Sequence, residues 1–182
     1  MRKVYEYSHL GGAEILECRF HDVAVDIDAA IRGVDAEAAR TKVSQEKTMP
    51  GALLYSPHEL NAAFRRELSA RGFHEVRDQY VIEVPGLGTR IPGAFKQVDF
   101  VRDQVFVEVQ FGKYAFMFYD LAKFQYFYNQ GRAVVGVEIV PCHRLQSQMS
   151  TGVSYGEQLI YDIERLQRHF PAVPLKIILI DA

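Results

Sequence analysis

Ala94-Phe95-Lys96-Gln97-Val98-Asp99-Phe100-Val101 is followed, across a short polar break at Arg102-Asp103, by Gln104-Val105-Phe106-Val107-Glu108-Val109-Gln110-Phe111. Both halves are rich in Val and Phe, and the break between them reads as a tight turn. A β-hairpin is therefore predicted, with strands over Ala94–Val101 and Gln104–Phe111. Side chains alternate across a strand. Val105, Val107 and Val109 thus share one face, and Glu108 and Gln110 share the other.

Downstream, residues 115–128 read as an aromatic-rich helix, and Ala133–Val140 is an apolar run suited to a buried strand. Ser154-x-x-Glu157 has the form of a capping box, opening a helix to about His169. Leu175–Ile180 reads as a final buried strand. Upstream, Gln79 to Val84 reads as a strand, broken by the turn-rich Pro85-Gly86-Leu87-Gly88. Ser56-Pro57-His58-Glu59 is a helix start: Ser56 caps, Pro57 suits the first turn and Glu59 completes a capping box. That helix runs through Leu60, Phe64 and Leu68 to a stop at Gly72. Ile27, Ile31 and Val34 recur at helical spacing and predict a helix over 22–34, with Gly33 near its end. Asp35 to Gly51 is polar and reads as a loop or short helix. The pattern is α/β: a mixed central β-sheet flanked by helices on both faces, in one domain over residues 1–182.

Bulk properties narrow the function classes. The chain has 182 residues, 48% apolar and 24% charged, enough to bury a core. Net charge is −2, so no global positive field draws in nucleic acid, and any such contact must use local basic clusters. Cys18 and Cys142 form no metal-type spacing, which argues against structural zinc. The six His are scattered and none pairs at ligand spacing. The start, Met1-Arg2-Lys3-Val4-Tyr5-Glu6, has no apolar h-region, and no apolar run is long enough to span a bilayer. Gly86-x-Gly88 has no helix pattern after it to cradle a phosphate, so no nucleotide cofactor is expected. The expectation is a cytoplasmic protein with free thiols and no membrane segment.

Chemistry concentrates in the hairpin. A short turn brings Asp99 of the first strand beside Glu108 of the second. Two adjacent carboxylates repel unless a cation sits between them, and oxygen-only ligands suit Mg²⁺, which accepts one or two carboxylates and leaves other positions to water and phosphate. Gln110 is neither base nor cation, but its amide can orient a water and donate to a phosphate oxygen. By spacing alone the acids read more simply as solvated surface groups.

The longer string raises the weight of the catalytic reading. Val98-Asp99-Phe100 followed by Val107-Glu108-Val109-Gln110-Phe111-Gly112-Lys113-Tyr114 resembles the active-site hairpin of BglII/BstYI-type type II restriction endonucleases, in the PD-(D/E)xK nuclease superfamily. The resemblance runs closest to the BstYI branch. It extends through Tyr7-Ser8-His9-Leu10, Asp35-Ala36-Glu37-Ala38, Leu54-Tyr55-Ser56-Pro57, Tyr119-Asp120-Leu121, Gly136-Val137-Glu138-Ile139 and Met149-Ser150-Thr151-Gly152-Val153-Ser154-Tyr155, nearly the whole chain in order. Three departures stand out. Val98 replaces the signature Pro, Thr151 stands where the BstYI branch has Ser, and the segment between Val84 and Phe95 is shorter, where an extra helical arm would sit.

The resemblance implies that Asp99 and Glu108 ligate Mg²⁺ with the Val109 carbonyl, and that Gln110 takes the place of the superfamily's usual Lys. It implies a homodimer cutting double-stranded DNA at a palindrome with a GATC core, RGATCY-like, leaving 5′ overhangs with 5′ phosphates. Lys113 falls at a base-recognition position, where Lys suits guanine O6 and N7 in the major groove. Ser150 and Thr151 match a second recognition loop. Arg40, Lys42 and Lys47 look like a DNA-contacting segment, partly to phosphates. Two alternatives share the fold: a structure- or damage-directed repair nuclease, and a DNA-binding protein with a decayed centre, against which the intact acids argue.

Overall fold

A computed structural model describes residues 1–182. In chain order the elements are β1 (Arg2–His9), α1 (Gly12–Arg19), α2 (His21–Gly33), a 3-10 turn at Glu37–Ala39, β2 (Lys42–Val43), β3 (Leu53–Leu54), α3 (Pro57–Ser69), β4 (His74–Glu83) and β5 (Arg90–Arg102). There follow β6 (Val105–Val109), α4 (Tyr114–Asn129), β7 (Val135–Pro141), α5 (His143–Gln146), α6 (Gly156–Leu166), a 3-10 turn at Gln167–His169 and β8 (Leu175–Asp181).

Six strands form one mixed sheet in the order β1-β8-β7-β6-β5-β4, with β2 and β3 paired separately. β6, β7 and β8 run parallel, and the outer strands join antiparallel. Every residue of β6, β7 and β8 is buried, the reason these strands read as apolar runs. Helices cover both faces. On one, α4 and α6 approach so closely that a Cβ on Gly136 would meet Phe124, and one on Gly156 would meet Leu179 and Val140. On the other, Lys176 reaches Glu17 of α1, with α2 beside α1 and α3 packed on α2. No helix is long and apolar enough to cross a membrane.

The central hairpin forms with a shifted turn. Its ladder closes at Arg102↔Val105, so the turn residues are Asp103 and Gln104, not Arg102 and Asp103. Both adopt positive φ, 51° and 68°, the left-handed pair that matches the twist of a two-residue hairpin. The capping box at Ser56 forms in part: Ser56 Oγ accepts from the Glu59 N–H at 3.4 Å, while the Glu59 carboxylate turns to His58. The second capping box does not form. α6 starts at Gly156 after Tyr155, with no side-chain cap, and the Glu157 carboxylate instead accepts from the His143 N–H at the start of α5. β4 begins five residues before the predicted Gln79, and β1 and α1 were not predicted at all.

Candidate active site

The hairpin ladder pairs Arg102↔Val105, Val101↔Phe106 and Phe100↔Val107. Asp99 and Glu108 are the next residues on each strand, just past the last pair. There the strands part around a cleft lined by Asp99, Glu108, Val109 and Gln110, with Arg65 from α3 and Lys123 from α4. The hairpin and its helices thus bring all four sequence-predicted hairpin residues to one place.

Each acid already faces a cation. Arg65 lies 3.2 Å from Asp99 and Lys123 lies 2.5 Å from Glu108. The two pairs differ in setting, because the Asp99 side chain is 35% exposed and that of Glu108 only 6%. The Arg65 pair is screened by water, whereas the Lys123 pair is held in a desolvated pocket where charge acts strongly.

Asp120, buried one turn before Lys123 on the same helix face, ties the pocket together. Its carboxylate accepts from Lys123 Nζ at 2.7 Å and from Gln110 Nε2 at 2.8 Å. Gln110 therefore does not present its whole amide to the cleft, as its sequence reading supposed. One amide N–H is given to Asp120, and the carbonyl oxygen lies against Gly112, where a Cβ would sit 2.5 Å away. Glu138, beside Glu108 in the β6–β7 register, is fully buried, and neither of its oxygens has a hydrogen-bond partner.

These surroundings set the proton affinities. Burial, then the nearby Asp120 charge, push Glu108 up to about 8 in spite of Lys123. Burial raises Asp120 as well. Burial followed by the charges of Asp120 and Glu108 holds the Glu138 carboxyl well above the ordinary carboxylate range. For Lys123 burial works against the charge, but Glu108 and Asp120 outweigh it and keep the ammonium charged.

The donor set fits a hard divalent cation. The cleft offers oxygen ligands alone, and a cation would relieve the strained ionisation of Glu108. No group of three or more His, Cys, Asp or Glu side chains converges on one point, so a closed protein cage is not built. Two acids with open positions for water and phosphate are what Mg²⁺ accepts.

The predicted DNA-contacting residues gather on one loop cluster. Lys42 Nζ lies 2.5 Å from Ser150 Oγ, and Glu46 accepts from the Thr151 N–H at 3.0 Å, so the β2–β3 hairpin leans on the loop at 150–151. Gly112 accepts from the Ser154 N–H at 2.9 Å, which sets the exposed Lys113 next to that loop. Lys47 is exposed on the β2–β3 connection. Arg40 is engaged at the hairpin's root, with Nε donating to the Leu53 carbonyl at 3.2 Å and its guanidinium over the Tyr55 ring.

Four residues of the centre escaped the sequence reading: Arg65, Asp120, Lys123 and Glu138. Arg65 lies on α3, and no local spacing relates it to the acids of the hairpin. Asp120-x-x-Lys123 carried a usable signal, an acid and a base at helical spacing just after the acidic strand.

A mixed sheet flanked by helices, with an acidic cleft where two strands splay, is the architecture of restriction endonucleases. A solved structure of restriction endonuclease BglII complexed with a DNA 16-mer matches at TM-score 0.73 and 20% identity, over 97% of this chain and 76% of that one. Free BglII matches at TM-score 0.65 and 16% identity, over 98% of this chain and 79% of that one. Among curated protein sequences none matches the chain. The family model for restriction endonuclease BglII/BglIII matches residues 4–180, and the chain belongs to that family. It is accordingly a type II site-specific deoxyribonuclease.

Proposed function

We propose that residues 1–182 form one endonuclease domain that hydrolyses double-stranded DNA with Mg²⁺, at a palindrome with a GATC core, RGATCY-like. The observation that carries this reading is the meeting of Asp99 and Glu108 at the cleft past the Phe100↔Val107 pair. Asp99, Glu108 and the Val109 carbonyl would hold the metal. When bound, the metal polarises the scissile phosphate and makes an attacking water more acidic. The water oxygen bonds to phosphorus, the P–O3′ bond breaks, the 3′ oxygen leaves as a hydroxyl and the phosphate stays on the 5′ end. Gln110, fixed by Asp120, orients groups at the cleft with its remaining N–H.

The related BglII was solved with a DNA 16-mer, which supports a duplex as substrate here. Lys113, Ser150 and Thr151 would read bases, while Lys42, Lys47 and Arg40 steer the backbone. A palindrome presents the same half-site twice, so a homodimer with one centre per strand suits it, with staggered cuts leaving 5′ overhangs. Both cysteines are free thiols, in keeping with a cytoplasmic setting. Incubation with supercoiled plasmid and Mg²⁺ tests the reading. Wild-type protein gives discrete fragments and Asp99→Ala gives none; a uniform smear, or cutting that survives Asp99→Ala, refutes it.

A further inference from the structure

We propose that Lys123, carried in from α4, is a catalytic residue of this centre and supplies the scissile phosphate with the positive charge that position 110 lacks. The proposal rests on the endonuclease reading above and adds a residue to it.

Three observations support it. First, only two cations line the cleft, and they differ in kind. The Arg65 side chain is 55% exposed, while that of Lys123 is 12% exposed. A charge in a water-poor pocket acts on a neighbouring anion far more strongly than one at the surface. Second, an ammonium has three hydrogens to donate. Glu108 and Asp120 take two of them, at 2.5 and 2.7 Å, and the third is left for what occupies the cleft. Anything Glu108 holds lies within reach of the same nitrogen. Third, Lys123 is held in place before substrate arrives. Asp120 fixes it, and Asp120 is itself engaged by Gln110. A donor already aimed at developing charge needs no rearrangement during the reaction.

Position 110 explains why the cation comes from a helix. Gln110 brings no charge, and its amide is spent partly on Asp120. The third N–H of Lys123 then donates to a non-bridging oxygen of the phosphate under attack.

The experiment compares wild type, Lys123→Met, and Lys123→Met combined with Gln110→Lys. Single-turnover cleavage in Mg²⁺, duplex affinity in Ca²⁺ and melting temperature are measured for each. Lys123→Met is expected to slow cleavage by about 100-fold or more, the size of effect seen when one such donor is removed, and to leave duplex affinity within about threefold. Adding Gln110→Lys is expected to restore at least about tenfold of the rate, because it returns a cation to the cleft. Cleavage by Lys123→Met within about threefold of wild type overturns the proposal. So does a slowed rate that Gln110→Lys does not restore, or one matched by an equal loss of duplex affinity, since a purely structural Lys123 would behave so. If wild-type protein does not cut, the endonuclease reading fails first and the proposal falls with it. Wild type that cuts beside an equally fast Lys123→Met sinks the proposal alone.

Discussion

Gln110 donates an amide N–H to Asp120 at 2.8 Å, which fixes a neutral side chain of the hairpin to a buried acid of the following helix. The same acid holds Lys123. Asp120 is thus the joint between the segment that follows strand β6 and helix α4. Asp120→Ala would leave two donors short of a partner in a desolvated pocket. It is expected to lower unfolding free energy by about 1–3 kcal/mol, read by urea denaturation, and to slow cleavage. Asp120→Asn keeps the shape but not the charge, and should fall between.

Gly112 leaves room for the other end of Gln110. A methyl there would sit 2.5 Å from Gln110 Oε1 and turn the amide aside. The displaced atom is the tip of a flexible side chain, so the fold should survive Gly112→Ala with little change in melting temperature. Cleavage should drop as far as in Gln110→Ala. Unchanged cleavage in both variants would show that the Gln110 amide has no part in the reaction.

Glu108 predicts a pH dependence of definite sign. In the metal-free protein its carboxyl is raised from an ordinary 4.5 to about 8. Between those values the folded state binds more protons than the unfolded chain, so stability falls as pH rises through that window. Asp120 and Glu138 shift the same way. A metal held by Glu108 would need its carboxylate ionised, so Mg²⁺ affinity should climb toward pH 8 with release of a proton. Thermal melts from pH 6 to 9, with and without Mg²⁺, should show the metal-free midpoint falling and the metal-induced rise growing. Glu108→Gln should remove the growth.

The loop cluster separates affinity from specificity. Lys47 makes no side-chain hydrogen bond or ion pair, and its removal should weaken binding to all duplexes alike, lowering the salt slope by about 1. Lys113→Ala should instead relax preference at one base pair, costing about 1–3 kcal/mol of discrimination. Glu46→Ala frees the Thr151 N–H and should blur sequence choice with little effect on salt slope. Competition binding on duplex variants at several salt concentrations distinguishes these outcomes.

The hairpin turn offers a stability check. Asp103 and Gln104 both adopt a left-handed conformation that costs a residue with a side chain about 1 kcal/mol. Gln104→Gly should raise stability by about that amount and leave cleavage unchanged.

The hairpin and buried strands were legible in the sequence because burial leaves a pattern: alternation where one face is polar, continuous Val and Ile where neither is. β1 was not legible, because Arg2–His9 lies at the sheet edge and is largely exposed, reading as polar chain. α1 buries only Gly12 and Leu16 and so has no apolar stripe. Ser154-x-x-Glu157 misled because its parts serve other ends: the Ser154 N–H bonds Gly112, and Glu157 caps α5. The same division holds at the candidate site. Asp99 and Glu108 lie on two adjacent strands and Gln110 directly follows the second, so strand spacing related them. Lys123 and Glu138 reach them only through packing of α4 and the parallel register of β7, which no local spacing records.

Sequencing the ends of duplex DNA cut by the protein in Mg²⁺ decides whether the cleft at Asp99 and Glu108 cleaves at one palindrome. The expected result is 5′-phosphorylated, overhanging ends concentrated at one palindrome with a GATC core, and none with Asp99→Ala. Ends scattered without regard to sequence, or the same ends from Asp99→Ala, would contradict it.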